Sequence, residues 1–186
     1  MATVTKESLE TLFRNIDSKL EYTVDIYIIG GASAILGYNI VKQTDDVDLD
    51  GTAEPHFQKL FNEASHETGT DLVLSSKGVF TPPDGYRERM HFKDFPRRKL
   101  RIWFLDKDDF AISKISRGFG KDYEDISKVH EQAPYEYASL MNIFMTEFIG
   151  IATIGNEKET KMNFLDLVEK LFGSERMIEA KRDIKF

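Results

Sequence analysis

Cysteine is absent from the sequence, which excludes a disulfide framework, a thiolate metal site and a cysteine nucleophile. Any metal would need oxygen ligands. The four histidines, His56, His66, His91 and His130, show no ligand spacing and read as surface or packing residues. A long apolar run is also missing. The most apolar stretch, Ala138 to Ile154, is shorter than the ~20 residues of a membrane span and is interrupted by Asn142 and Glu147, so it reads as a buried helix. The first residues lead into a charged helical pattern without the basic start and apolar block of a secretory signal, and a cytoplasmic location is the expectation. Positive charge is in deficit. With 25 Lys and Arg against 32 Asp and Glu, the net charge of −7 disfavours nonspecific adhesion to nucleic acid. No internal repeat or low-complexity linker is present.

What remains is the composition of an ordinary folded protein: 41% hydrophobic and 31% charged residues over 186 positions, enough for one principal core. Leu9, Leu12, Phe13, Ile16 and Leu20 recur at helical spacing. Val24 to Ile29 is rich in β-branched and aromatic residues and ends on Gly30-Gly31, the pattern of a short buried strand and its turn. A helix should run from Ser33 to about Tyr38, and a second strand through Val47 and Leu49 alternating with Asp46, Asp48 and Asp50. Phe57 to Ala64 has helical spacing, Asp71 to Leu74 is a brief strand or extended connection, and Pro82 to Gly85 is a turn. Leu100 to Leu105 reads as a strand, followed by a helix capped by Asp108 or Asp109 and ended by Gly118 and Gly120. Beyond it only helices are expected, at 122–131, 135–149 and 163–172. The fold class is therefore α+β, with a core over 1–132 and a helical C-terminal extension over 133–186 packed on it.

The order strand, Gly-Gly turn, helix, then a strand with two alternating aspartates carries the chemistry. Period-2 alternation points Asp46 and Asp48 from one sheet face, where two carboxylates can share a hard divalent cation such as Mg²⁺ or Mn²⁺. Glycines permit close backbone approach, free N–H groups at a helix start attract phosphate, and Ser33 adds a hydroxyl.

At these residues the chain resembles the nucleotidyltransferase superfamily related to DNA polymerase β, whose hallmark is Gly-Gly/Ser-x-Ser followed at short spacing by Asp-x-Asp. Gly30-Gly31-Ala32-Ser33 and Asp46-Val47-Asp48 match it. Thr44-Asp45-Asp46-Val47-Asp48 is similar to the Thr-x-Asp-Ile/Val-Asp block of bacterial minimal and AbiEii-like nucleotidyltransferases. Lys114, Arg117 and Lys121-Asp122-Tyr123-Glu124-Asp125 stand in the order of a later basic and acidic element of those relatives. The resemblance implies a small mixed sheet flanked by helices and transfer of a nucleotidyl group from a nucleoside triphosphate, with Mg²⁺ or Mn²⁺ held by Asp46 and Asp48. It assigns Gly30, Gly31, Ser33, Thr44 and Arg117 to nucleotide binding, with Lys114 and Asp122 joining Asp46 and Asp48 in catalysis. The acceptor would be a macromolecule, RNA such as tRNA or a protein, and a toxin–antitoxin or phage-defence partner is a further implication.

Two departures stand out. Relatives with a complete triad carry a third carboxylate on a later strand, where this chain has Arg101; Asp71 or Asp106 would have to substitute. Lys42 stands where relatives often have arginine. These departures support an alternative, a noncatalytic nucleotide-binding module or toxin–antitoxin partner with a degenerate site. Other readings fail on spacing. Asp46-x-Asp48-x-Asp50-Gly51 begins like a calcium loop, but its twelfth position is Phe57, and Gly30-Gly31 with Gly37 does not fit a dinucleotide fingerprint. The cluster Arg87, Arg89, Lys93, Arg97, Arg98, Lys99 and Arg101, interleaved with Tyr86, Phe92 and Phe95, is either a grip for phosphates or RNA or a solvated edge hairpin.

Overall fold

The computed structural model describes residues 2–76, 81–151 and 156–184. It is an α+β protein whose chain divides into two compact units, Met1–Val79 with Met90–Leu105, and Phe80–Arg89 with Asp106–Phe186.

The first unit opens with β1 (Ala2–Val4) and α1 (Lys6–Lys19). Thr5 and Ser8 satisfy each other's backbone N–H groups in a capping box at the start of α1, worth about 1 kcal/mol. β2 (Val24–Ile28), α2 (Gly30–Tyr38), β3 (Lys42–Thr44), β4 (Asp46–Asp48), α3 (Pro55–Thr68) and β5 (Val73–Ser75) follow. After a short helix of the other unit, α4 (Tyr86–Arg89), come β6 (His91–Asp94) and β7 (Leu100–Phe104).

A three-stranded mixed sheet runs in the order β2-β7-β6, with β2 parallel and β6 antiparallel to β7. Two-stranded ladders pair β1 antiparallel with β3 and β4 parallel with β5. The buried face of each strand follows from its alternation. Ile26, Ile28, Val47, Leu100 and Ile102 join Leu9, Leu12, Phe13 and Ile16 of α1 and Phe57 and Phe61 of α3 in the core. Burying each large side chain contributes roughly 1.5–3 kcal/mol. The buried carboxylate of Asp17, at the end of α1, accepts hydrogen bonds from the N–H groups of Arg97, Lys99 and Leu100, which fixes the entry into β7. Of the basic stretch, Lys93, Arg97, Arg98, Lys99 and Arg101 lie in the edge hairpin β6–β7, while Arg87 and Arg89 belong to α4.

The second unit is helical: α4, then α5 (Lys107–Ile115), α6 (Gly120–Gln132), α7 (Tyr137–Ile143), a π-helical turn over Phe144–Phe148, α8 (Glu157–Phe172) and α9 (Ser174–Asp183). Its core holds Phe110, Ile112, Phe144, Phe148, Phe164 and Leu167, with the rings of Phe144 and Phe164 stacked at 3.8 Å. The cap of α5 is Asp106, which accepts from the Asp108 N–H at 2.9 Å, and neither Asp108 nor Asp109. The chain already turns helical at Lys107, so only the carboxylate before it reaches the free N–H groups. Helix α5 ends at Ile115, three residues before Gly118. The apolar stretch from Ala138 is helical to Ile143 and continues as the π turn; residues 152–154 of that stretch lie outside the described ones. Among the described residues no helix is long and apolar enough to cross a membrane.

Candidate active site

The chain leaves β2 through Ile29, an extended residue that begins α2 without a side-chain cap. The amide groups of the first turn therefore meet no capping oxygen, and the positive end of the helix dipole is directed outward from the turn. Gly30 has φ 62°, and a Cβ there would fall 2.5 Å from Oδ2 of Asp48. Glycine is required twice over, for its left-handed backbone and for the closeness of that carboxylate. A Cβ on Gly31 would meet the end of Lys42 instead, 3.0 Å from Cε and 3.2 Å from Nζ. The ammonium of Lys42 thus lies beside the turn. A positive charge therefore stands at this place, which no spacing in the sequence could reveal, because β3 reaches α2 only through the tertiary fold.

Strand β4 carries the two aspartates. Val47 is fully buried while Asp46 and Asp48 are half-exposed on the opposite side. The hydroxyl of Thr44 donates to Oδ1 of Asp46 at 2.9 Å, so Thr44 orients the first carboxylate. On one flank β4 pairs with β5; on the other it meets β2 in antiparallel fashion, with Ile28 opposite Leu49 and hydrogen bonds from Ile29 N to Asp48 O at 3.0 Å and from Asp50 N to Tyr27 O at 2.9 Å. Ile28 and Leu49 are both buried, so the pleat turns Asp48 and Asp50 to the same open face as Tyr27.

Ser33 is fully buried, and its Oγ accepts the N–H of Leu105 at 2.8 Å. That bond ties α2 to the end of β7 and fixes the turn in relation to the sheet. On β7, Arg101 sits in register with Asp25 and pairs with its carboxylate, which also accepts from Trp103 Nε1 at 3.1 Å. Asp71 lies just before β5 with φ 50° and is exposed. Asp106 serves as the cap of α5. Among the described residues, no three His, Asp or Glu side chains gather closely enough to hold a metal. A pair of aspartates nevertheless fits Mg²⁺ or Mn²⁺, since Mg²⁺ keeps several waters and is bound through one or two carboxylates together with substrate phosphates.

Lys114, Arg117 and Asp122 belong to the second unit and come together there. Lys114 is 7% exposed, and its Nζ donates to Asp122 at 2.9 Å and Asp125 at 3.2 Å. Arg117 reaches both oxygens of Asp122, at 2.6 and 3.2 Å. Burial would raise the Asp122 carboxyl, but hydrogen bonds and charge from Arg117 and Lys114 outweigh it and hold the group below the usual carboxylate range. Nearby, Arg89 makes a forked pair with the fully buried Asp109 at 2.6 and 2.9 Å and reaches Glu147 at 2.7 Å. Burial pushes the Asp109 carboxyl up against the pull of that guanidinium.

Most of the basic stretch is locally engaged. Lys93 pairs with Glu10, Arg97 donates to the carbonyl of Ser18, Lys99 donates to that of Glu21, and Arg98, 83% exposed, leans on Asp94 at 3.5 Å.

The strand, the glycine-lined helix start and the two aspartates of β4 stand in the order on which the sequence's resemblance to nucleotidyltransferases rests. The chain belongs to that class: residues 7–171 match the family described as nucleotidyltransferases of unknown function (DUF6036). No curated protein and no solved structure matches the chain.

Proposed function

We propose that the first unit binds a nucleoside triphosphate with a divalent cation and transfers its nucleotidyl group to a macromolecular acceptor. The observation that carries this reading is the Asp48 carboxylate packed against Gly30 at the uncapped start of α2, with Asp46 on the same strand face. Gly30 and Gly31 let the triphosphate tail approach the turn amides, and Lys42 adds a charge beside them. Thr44 holds Asp46 in the orientation a ligand needs, and Ser33 sets the turn from behind. Mg²⁺ or Mn²⁺ at Asp46 and Asp48 would supply charge neutralisation on the phosphates. In the second unit, the charge of Lys114 is already matched by Asp122 and Asp125. That supports a role for Lys114, Asp122 and Asp125 in ordering α5 and α6, with Arg117, 41% exposed, as a second partner of Asp122.

The test is calorimetric titration of the triphosphates with and without Mg²⁺. Asp46→Asn and Asp48→Asn should keep the fold and lose Mg²⁺-dependent binding, since an amide cannot replace a charged oxygen ligand. Wild-type binding by both variants would remove these residues from the metal site. Labelled triphosphates incubated with cell extract, then digested with nuclease or protease, separate an RNA acceptor such as tRNA from a protein one, and from a toxin–antitoxin partner.

A second reading has its own observation. Arg101 occupies the strand position of the third carboxylate and is spent on Asp25, which favours a noncatalytic nucleotide-binding module. Metal-dependent binding without pyrophosphate release over long incubation would support it.

A further inference from the structure

The open face of the sheet carries a row of rings. Tyr27 on β2, Trp103 on β7 and Phe92 on β6 stand in register across three strands. Tyr27 and Trp103 are nearly parallel, 14° apart with centroids at 6.1 Å, and Phe92 lies 5.1 Å from Trp103. Phe92 is 47% exposed, and Trp103 and Tyr27 are half-exposed. The indole is also held: its Nε1 donates to Asp25, whose other oxygen takes Arg101, so the ring is fixed in its plane.

This row continues the face that bears Asp46 and Asp48. Tyr27 lies opposite Asp50, next to the aspartates, and Trp103 is one strand further on. Two strand spacings of ~4.8 Å put the indole about 10 Å from β4, the reach from the phosphates of a nucleotide to its base. The charge of the face selects between occupants. Asp25, Asp46, Asp48, Asp50 and Asp94 share it with Arg101, which is already paired with Asp25. Such a surface repels the repeated phosphates of a polynucleotide. A single triphosphate that arrives with its cation over Asp46 and Asp48 meets no such barrier.

We propose that the Tyr27–Trp103–Phe92 row is the platform on which the base of the bound nucleoside triphosphate stacks. The inference rests on the triphosphate site proposed above and adds the place of its base. Stacking on rings is tolerant of base identity, because every base has a π-face, so the row contributes affinity for nucleotides as a class. Selection among bases would fall to groups at the platform edge.

Trp103 is the sole tryptophan of the sequence, so its emission reports on the row directly. With Mg²⁺ present, each of the four ribonucleoside triphosphates should quench it, whereas inorganic tripolyphosphate should bind without quenching. By calorimetry, Trp103→Ala should weaken nucleotide binding about tenfold or more while leaving tripolyphosphate binding as in wild type. Trp103→Phe should recover most of the loss, and Phe92→Ala, at an exposed position, should give a smaller loss of the same kind. If wild type binds tripolyphosphate as tightly as nucleotides and neither quenches, or if Trp103→Ala weakens both equally, the platform is refuted while the triphosphate site stands. If neither probe binds wild type, the triphosphate site falls, and the platform with it.

Discussion

Replacing Gly30 by alanine isolates the geometry on which the candidate site depends. The φ of 62° lies in the left-handed region, which costs an ordinary residue roughly 1–2 kcal/mol. The added Cβ would also lie 2.5 Å from Oδ2 of Asp48, so that carboxylate must swing aside. Together these give a loss of about 1–3 kcal/mol. For a chain of this size the melting temperature should fall by roughly 2–12 °C. Gly31→Ala is the control. Its φ is not positive, and its Cβ would press only on the flexible end of Lys42. Alanine also favours helix over glycine by up to about 1 kcal/mol, so stability should hold or rise slightly. Asp48→Ala placed on Gly30→Ala should recover the part of the loss due to the displaced carboxylate and leave the backbone part. Differential scanning calorimetry of the four proteins reads each term. The reasoning fails if Gly30→Ala melts with wild type, or if Gly31→Ala is equally damaging.

Two further predictions concern the buried network of the second unit. Lys114→Met should destabilise by about 3–5 kcal/mol, because it removes the buried ammonium that Asp122 and Asp125 share; the triple variant Lys114→Met, Asp122→Asn, Asp125→Asn should recover much of that, and denaturant titration showing the single variant at least as stable as the triple would refute the assignment. Asp122 has its carboxyl lowered in the folded protein, so the stability it contributes is complete above its ordinary value of about 3.8 and is lost as pH falls through the lower folded value; Asp122→Asn should remove this part of the acid dependence from melting curves taken as pH falls below that ordinary value, and an unchanged acid limb would count against it.

The elements that the sequence exposes are those whose pattern is local. β2, the Gly-Gly turn, the alternation through Asp46 and Asp48, and β7 follow from runs of branched residues punctuated by glycine, and their order points to the family. The ladder of β1 with β3 does not, since Lys42-Gln43-Thr44 is polar throughout and offers no apolar alternation. Helix α9 is hidden for another reason: it buries only Ala180, so no apolar stripe marks it. Within the candidate site, Asp46, Asp48 and the glycines are legible from spacing. The positions of Lys42 beside Gly31, of Thr44 on Asp46 and of Ser33 under Leu105 come from contacts between segments far apart in the chain or from side-chain geometry. The engagement of Lys93, Arg97 and Lys99 by α1 and the loop after it likewise has no signal in their spacing.

The chain passes from the first unit to the second, back again, and then to the second once more. On a ribosome, β2 must wait for its parallel partner until β7 has emerged, because Val24 pairs with Leu100. Closing so long a loop slows folding, and the nascent first unit stays incomplete while part of the second is already made. Dissection meets the same interleaving. A cut after Leu105 would leave Arg89 on one fragment and Asp109 on the other, stranding a buried carboxylate without its guanidinium. The helical unit therefore has to be expressed with the segment Phe80–Arg89 joined to it, as a rearranged chain and not as a simple C-terminal truncation product.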